Sequence, residues 1–166
     1  MKKLKIICLL ISTFSFSQNV EISKTQINDI LNNWHKAASN AKFDDYFSVL
    51  TDDAVFIGTD ATENWNRNEF KVFAKPYFDK GKAWSFLPLE RHIYFSSDKK
   101  IAWFDELLRT QMKICRGSGV LVKYKNTWKI KQYVLSMTIP NENTNEVVKI
   151  KTENEDKIIL KLKKLN

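Results

Sequence analysis

Two adjacent acidic residues in an apolar segment are the first candidates for chemistry in this sequence. Asp105 and Glu106 lie within IAWFDELLRT (101–110), whose period of two predicts a strand. Neighbouring strand residues point to opposite faces, so only one of these carboxylates can enter an interior pocket. We place Asp105 inward. A carboxyl group that is buried away from cations has a raised pKa, which suits general acid–base catalysis.

Arg91 is the second candidate, because it lies between Leu89 and Ile93 on an apolar strand face. A buried guanidinium needs a partner. In one interpretation Arg91 anchors a ligand carboxylate or another anion. In the other it forms a structural ion pair with Asp105 or Glu106, and the sequence leaves both interpretations open.

Four further residues are ligand-binding candidates. Gln132 shares strand parity with Trp128 and Ile130, which predicts its amide on the inner face. There it orients a polar ligand or satisfies a backbone group. The remaining candidates are aromatic residues that either line a pocket or pack a core: Trp34, Trp65 and Trp103.

Other kinds of site lack the residues that they need. His35 and His92 are the only histidines, and they have no HxH or HxxxH spacing, so we predict no metal site. Cys115 is typical of a small buried hydrophobic residue. The glycines on either side of Ser118 lie between strand residues, and they allow sheet curvature rather than form a phosphate loop. We predict no cofactor.

Length and composition indicate one globular domain with a hydrophobic core, since 43% of the 166 residues are apolar. The formal net charge of +8 overstates the basic character of this domain. Residues 18–140 contain 18 lysine and arginine residues and 14 aspartate and glutamate residues, a net charge of +4. These charges are scattered, so we predict no nucleic-acid partner.

The two ends of the chain differ from the rest. Residues 1–17 combine a basic start, a short apolar run and Ser15-Phe16-Ser17, which predicts a signal peptide cut before Gln18. We therefore expect a periplasmic or secreted protein, with no stable membrane insertion after signal removal. A cytoplasmic N-terminus is the alternative. Residues 141–166 form a charged C-terminal extension for which we favour a helix, although its alternating end (Ile158, Leu160, Leu162) also suits a strand.

The order of periodic segments predicts an α+β fold. Helical spacing appears at residues 20–40, 43–50 and 66–80, and a short apolar strand at 54–57. From Trp84 the period becomes two, which predicts a strand over Trp84–Phe95 with Leu87, Leu89, Ile93 and Phe95 on one face. Three long antiparallel strands follow within residues 101–137. Helices on one side of a curved sheet would result.

Four segments carry a family resemblance: FDDYFSVLTDDAVFIGTDATENW (43–65), AWFDE (102–106), CRGSGVLVKY (115–124) and TWKIKQYVLS (127–136). The chain resembles the NTF2-like superfamily, and within it the SnoaL-like or ketosteroid-isomerase-like domains of bacteria. The resemblance covers residues 22–140. It implies a cone-shaped fold, with N-terminal helices packed on a strongly curved antiparallel sheet, a deep pocket between them, and homodimers formed through the open sheet face.

The same resemblance argues against one reaction. In steroid isomerases of this fold a tyrosine donates a hydrogen bond and an aspartate is the general base, and these positions fall on Trp34 and Gly58. Neither residue can perform its counterpart's role. We therefore predict an exported protein that binds a small, partly apolar molecule, with any reaction being an acid–base lyase, isomerase or cyclase type centred on Asp105. The alternative is a non-catalytic dimeric interaction module with a cavity filled by side chains.

Overall fold

The computed structural model describes residues 2–164, with side chains described for residues 20–164. The predicted signal peptide, residues 1–17, lies outside the described side chains, and its cleavage stays a prediction. No helix among the described residues combines the length and apolar content that a membrane span needs. The elements are, in order, α1 (Lys2–Ser39), α2 (Phe43–Ser48), β1 (Leu50–Ile57), β2 (Asn64–Asn66), α3 (Arg67–Asp79), β3 (Leu87–Phe95), β4 (Ile101–Thr110), β5 (Lys113–Tyr124), β6 (Thr127–Met137) and α4 (Thr144–Lys163).

Helix α1 covers the sheet with a narrow apolar stripe. Ile27, Leu31, Trp34 and Ala38 recur every three or four residues, and each is almost completely buried. His35 lies beside this stripe and is equally buried. The packing of α1 therefore carries one polar ring into the interior together with the apolar side chains.

Helix α3 is fixed at its start by a capping box. The Asn66 side chain accepts the N–H groups of Asn68 and Glu69, and the Glu69 carboxylate accepts the Asn66 N–H group. Phe70, Ala74 and Phe78 then recur every four residues as the buried stripe. The cap fixes Arg67 as the first residue of α3.

The sheet has six strands in the order β2–β1–β6–β5–β4–β3. Its neighbours are antiparallel except for β1 and β6, which are parallel. The α+β fold with helices on a sheet is confirmed, while the sheet is mixed rather than wholly antiparallel. It remains open, with β2 and β3 as its edges. The three-residue strand β2 was too short to produce a periodic signal in the sequence.

Strand alternation gives the sheet two unlike faces. The inner face packs against the helices, and its residues on the adjacent strands β4 and β5 are Ala102, Phe104, Glu106 and Leu108 on β4, with Cys115, Gly117, Gly119 and Leu121 on β5. The outer face is partly exposed and includes Trp103 and Asp105. Only the inner face contributes to an enclosed site.

Strand β3 begins at Leu87, three residues later than predicted, and contains a bulge at Leu89. A bulge adds one residue to a strand and so reverses which side chains face inward. The prediction that Leu87 and Leu89 share a face with Ile93 and Phe95 is therefore wrong, and both leucine side chains are exposed. Arg91 and Ile93, which follow the bulge, pair with inner-face residues of β4.

Candidate functional site

A buried carboxylate, Glu106, joins three elements in the interior. Its Oε1 atom bonds to His35 Nε2 at 2.8 Å and accepts the Tyr133 hydroxyl at 3.0 Å. Its Oε2 atom accepts Arg91 Nε at 2.9 Å and Nη2 at 2.6 Å. The carboxylate side chain has no exposed surface. We refer to Glu106, His35, Arg91 and Tyr133 as the Glu106 network.

The electrostatics of this network keep Glu106 ionised. Burial alone would raise the pKa of the Glu106 carboxyl, but hydrogen bonding and charge from His35 and Arg91 outweigh burial and hold that pKa below its usual value. Burial and the neighbouring Glu106 charge raise the pKa of the Tyr133 hydroxyl well above its usual value. Tyr133 is therefore a permanent donor to a permanent acceptor, an arrangement that suits structural bonding better than proton exchange.

Arg91 extends the network to the surface of α1. Its Nη1 atom donates to the side-chain oxygens of Asn28 at 3.0 Å and of Asn32 at 2.9 Å. One guanidinium therefore connects β3, β4 and α1. Of the two interpretations of Arg91 drawn from the sequence, the structure contains the ion pair, and the partner is Glu106.

Gly117 provides the space in which the network forms. A Cβ atom added at this position would lie 2.2 Å from the Tyr133 hydroxyl oxygen and 3.0 Å from Glu106 Cγ. Both distances are shorter than normal van der Waals contact. Gly117 therefore serves close packing of the two polar side chains, in addition to any effect on sheet curvature.

The expectation that Asp105 points inward is wrong. Asp105 lies on the outer face, where its Oδ1 atom is 3.2 Å from His92 Nδ1 and its side chain is 37% exposed. The inner parity of β4 belongs to Phe104, Glu106 and Leu108. The sequence contained a signal for this, because Arg109 shares parity with Asp105 and a second unpaired charge is unfavourable on a buried face.

The inward placement of Gln132 is also wrong, because β6 contains a bulge. Ile130 pairs with Leu121 and Gln132 with Val120, which leaves Lys131 as an extra residue. The bulge reverses the alternation, so that Gln132 joins the outer face and Tyr133 the inner face. Nothing in the local residue types predicts this bulge, and for that reason the sequence did not identify Tyr133.

The three tryptophan candidates have different surroundings. Trp34 is buried in the core, stacked on Tyr46 at 4.9 Å between ring centroids. Trp103 lies on the outer face, 45% exposed and stacked on Tyr94. Trp65 lines a cavity. Of the six predicted site residues, the structure therefore places Arg91 in the buried network and Trp65 at a cavity.

This cavity opens between α3, the segment before β3, and one end of the sheet, and has a volume of about 360 Å³. We call it the aromatic pocket. Its wall contains three polar side chains, Thr59, Glu63 and Gln111, and no lysine or arginine is among its lining residues in the described part of the chain. The aromatic lining residues are Phe56, Trp65, Phe70, Phe73, Tyr77, Trp84 and Phe86.

Glu63 places a carboxylate beside Gly58 in the pocket wall. A Cβ atom at Gly58 would lie 2.1 Å from Glu63 Oε2, so glycine is required for this approach. The carboxylate is positioned by the Asp60 N–H group, which donates to Oε2 at 3.1 Å, and the Gly58 N–H group donates to the Glu63 carbonyl at 2.9 Å. Glu63 was not a predicted site residue, because it lies in a turn with no periodic signal in the sequence.

One layer of aromatic rings separates the aromatic pocket from the Glu106 network. Phe86 lines the pocket and lies 5.8 Å from the His35 ring. Phe56 also lines the pocket and lies 5.5 Å from the Tyr133 ring. Because His35 and Glu106 are only 2% and 1% exposed, the network has no direct access to a molecule in the pocket.

The described residues contain no cluster of three or more histidine, cysteine, aspartate or glutamate side chains arranged to hold a metal ion. The domain contains two other polar features that bear on function. One is the Glu106 network, whose carboxylate is buried, and the other is an accessible apolar cavity with a carboxylate in its wall.

Comparison with known proteins identifies the domain. The family model for the SnoaL-like domain matches residues 27–140. A search of curated proteins finds no match to the sequence.

Solved structures with low sequence identity share the fold. An NTF2-like protein of unknown function from Pseudomonas putida KT2440 is 11% identical, with 74% of this chain and 92% of that chain covered and a TM-score of 0.62. A candidate scytalone dehydratase from Novosphingobium aromaticivorans is 12% identical (74% and 89% covered, TM-score 0.61). A domain of unknown function with a cystatin-like fold from Nostoc punctiforme is 15% identical (87% and 96% covered, TM-score 0.63).

These structural likenesses concern the fold, while the family match concerns the sequence itself and spans more than half of the chain. Both agree with the helices packed on an open sheet described above. The protein belongs to the SnoaL-like domain family.

Proposed function

We propose that this protein is exported and binds a small, partly apolar molecule in the aromatic pocket. The observation that carries the proposal is the pocket itself, about 360 Å³ in volume and lined by aromatic rings with Glu63 in its wall. This volume falls within the range of about 300–1,000 Å³ that is usual for small-molecule sites. Apolar walls with a few polar groups are the usual composition of such sites.

The ring geometry favours a flat ligand. Trp65 and Phe73 are stacked with centroids 4.4 Å apart and planes 25° apart, and Phe70 and Trp84 are stacked at 6.0 Å and 28°. Nearly parallel rings along one wall offer a stacking surface to another planar ring. We therefore expect the bound molecule to contain an aromatic or otherwise planar apolar part.

The charge of the wall favours a ligand that donates a hydrogen bond to Glu63. A carboxylate accepts strongly from ammonium or hydroxyl groups, whereas it repels another anion. Lys82 and Arg109 line a neighbouring hollow and do not line the aromatic pocket. A neutral or cationic ligand is therefore preferred over an anionic one. Glu63, in place of Asp105, is also the carboxylate that we expect to accept a proton from a bound molecule in any acid–base reaction.

Fluorescence titration tests the pocket. N-phenyl-1-naphthylamine, a neutral apolar fluorophore, should bind the native protein and bind at least about tenfold more weakly to Ala83→Met, in which a longer side chain occupies the cavity. Trp103→Ser on the outer face is the matched control and should bind normally. Equal binding by Ala83→Met, or no binding by the native protein, would refute the pocket proposal.

A pair of charged probes tests Glu63. 1-Naphthylmethylammonium should bind about tenfold more tightly than 1-naphthoate, because one charge-assisted hydrogen bond contributes about 1.5 kcal/mol or more. Glu63→Gln should remove this preference without changing the binding of N-phenyl-1-naphthylamine. Equal affinity of the two charged probes for the native protein would show that Glu63 does not select the ligand.

Export is tested on the processed N-terminus. Protein recovered from the periplasm or the medium should begin at Gln18, as measured by intact mass. Recovery of full-length protein from the cytoplasm alone would contradict this part of the proposal.

A second function, that of a non-catalytic dimeric interaction module, is favoured by a different observation. Tyr94 and Trp103 form an aromatic pair on the outer sheet face, each 45% exposed and stacked at 6.0 Å. Exposed aromatic pairs of this kind are typical of interface centres. Trp103→Lys should weaken dimerisation in sedimentation velocity, while a native protein that is already monomeric would refute the module.

A further inference from the structure

Helix α4 carries an apolar face that the rest of the described chain leaves largely uncovered. Within that part of the chain, its main contact is with the 3₁₀ turn that precedes it, and none of its residues is buried. Val148 and Leu162 are each 53% exposed and Ile159 is 45% exposed. An isolated helix of 20 residues is marginal in water, especially with several β-branched residues. A partner for this face is therefore expected.

The face has an unusual internal order. At about 100° per residue, one side of α4 contains residues within an arc of roughly 120°. In chain order they are Thr144, Val147, Val148, Lys151, Glu155, Ile158, Ile159 and Leu162. The spacing along this series is the same when it is read from either end.

The charged residues of this series are also placed so that a second, antiparallel copy of the helix would bring opposite charges together. If a second α4 helix lies antiparallel, with the two-fold axis level with Glu153, apolar residues face apolar residues at the two flanks. Val147 and Val148 then lie level with Ile158 and Ile159 of the second copy, and Lys151 lies level with Glu155 of the second copy. In a parallel arrangement Lys151 would face Lys151 and Glu155 would face Glu155. The charges therefore favour the antiparallel pairing over the parallel pairing in register.

A membrane surface is a poorer occupant of the same face. Lys151 and Glu155 lie in the middle of the apolar arc, where insertion into lipid would bury both charges. In the isolated chain these two residues are paired with each other at 2.8 Å, one helical turn apart. This internal pair can be shared with an antiparallel neighbour without burying an unpaired charge.

We propose that α4 is a self-association element, which binds the α4 helix of a second copy of this chain in an antiparallel arrangement with Lys151 opposite Glu155. The interface is isologous, as a two-fold axis requires. It is independent of the aromatic pocket and of the outer sheet face. Its small size makes the association weak and concentration-dependent.

Sedimentation velocity over a concentration series tests the pairing, in the native background and in Trp103→Lys, which removes any contribution of the sheet face. Lys151→Glu and Glu155→Lys should each weaken self-association by about tenfold or more, because each substitution turns two attractive contacts into two repulsive ones. The double variant Lys151→Glu/Glu155→Lys should recover native association. A mixture of the two single variants should form a heterodimer.

Circular dichroism of each variant reports whether α4 remains helical, so that loss of association is not mistaken for loss of the helix. The mixture is the decisive measurement, because it restores association without changing either chain. A mixture as weakly associated as its components would overturn the proposal. The proposal would also be overturned if the Trp103→Lys variant, with α4 unchanged, stayed monomeric at every concentration.

Discussion

Glu106 and Glu63 are carboxylates of the same domain with opposite surroundings. Glu106 receives hydrogen bonds from three side chains and has no exposed surface. Glu63 is positioned by a backbone N–H group at the wall of an accessible cavity. A polar group inside a protein is not by itself a functional site. Glu106, whose hydrogen-bond partners belong to this domain, stabilises the fold. Glu63, which has no basic partner among the described residues that line the pocket, is available to a ligand.

Removing Glu106 should produce the largest effect on stability. Glu106→Ala leaves Arg91 and His35 buried without their acceptor, and we expect a loss of about 3–5 kcal/mol in the free energy of unfolding. Urea denaturation measures this, with Glu63→Gln as the matched control, which should stay within about 0.5 kcal/mol of native. A loss below about 1 kcal/mol for Glu106→Ala would mean that the network does not stabilise the fold.

A side chain added at Gly117 should have the next largest effect on the free energy of unfolding. Gly117→Ala forces Tyr133 and Glu106 apart, and overpacking of this kind costs about 1–3 kcal/mol. Tyr133→Phe removes the hydroxyl oxygen that an added Cβ would meet. The double variant should therefore lose less stability than the sum of the two single variants. Strict additivity in urea unfolding would show that the two positions do not interact.

The contribution of Glu106 to the free energy of unfolding should decrease at acidic pH. The pKa of Glu106 is lower in the folded protein than in the unfolded chain, so its stabilisation is complete above the unfolded-state pKa of about 4.3. It is lost as the pH falls through the lower folded-state pKa. The stability difference between native protein and Glu106→Gln should therefore narrow below pH of about 4.3, as measured by urea midpoints. A stability difference that stays constant as the pH falls below this value would contradict the lowered pKa of Glu106 in the folded protein.

Asp105 should show the smallest effect. Its partner His92 is half exposed, and exposed ion pairs contribute about 0–1 kcal/mol. Asp105→Asn should therefore change neither the free energy of unfolding beyond that range nor the affinity for N-phenyl-1-naphthylamine. A large loss of probe binding would show that Asp105 belongs to the ligand site, and that Glu63 is not the carboxylate that determines ligand binding.

The sequence predicted the helices and the long strands because their apolar spacing is set by local periodicity, as in the Ile27–Leu31–Trp34 stripe. It also predicted that Arg91 needs an anionic partner. It failed at Gln132 and Leu89, where one extra residue in a strand reverses the alternation. It missed Glu63 because proximity to Gly58 depends on a turn. Long-range geometry of this kind has no local signature.

The position of the Glu106 network along the chain has a consequence for folding. Its members come from residues 35, 91, 106 and 133, so the charges meet only when nearly the whole domain is present. Contacts this distant in sequence form slowly, because long loops must close first. A chain shortened before β6 would retain Arg91 and Glu106 but lack Tyr133. The network is therefore complete only in a chain that contains every element from α1 to β6.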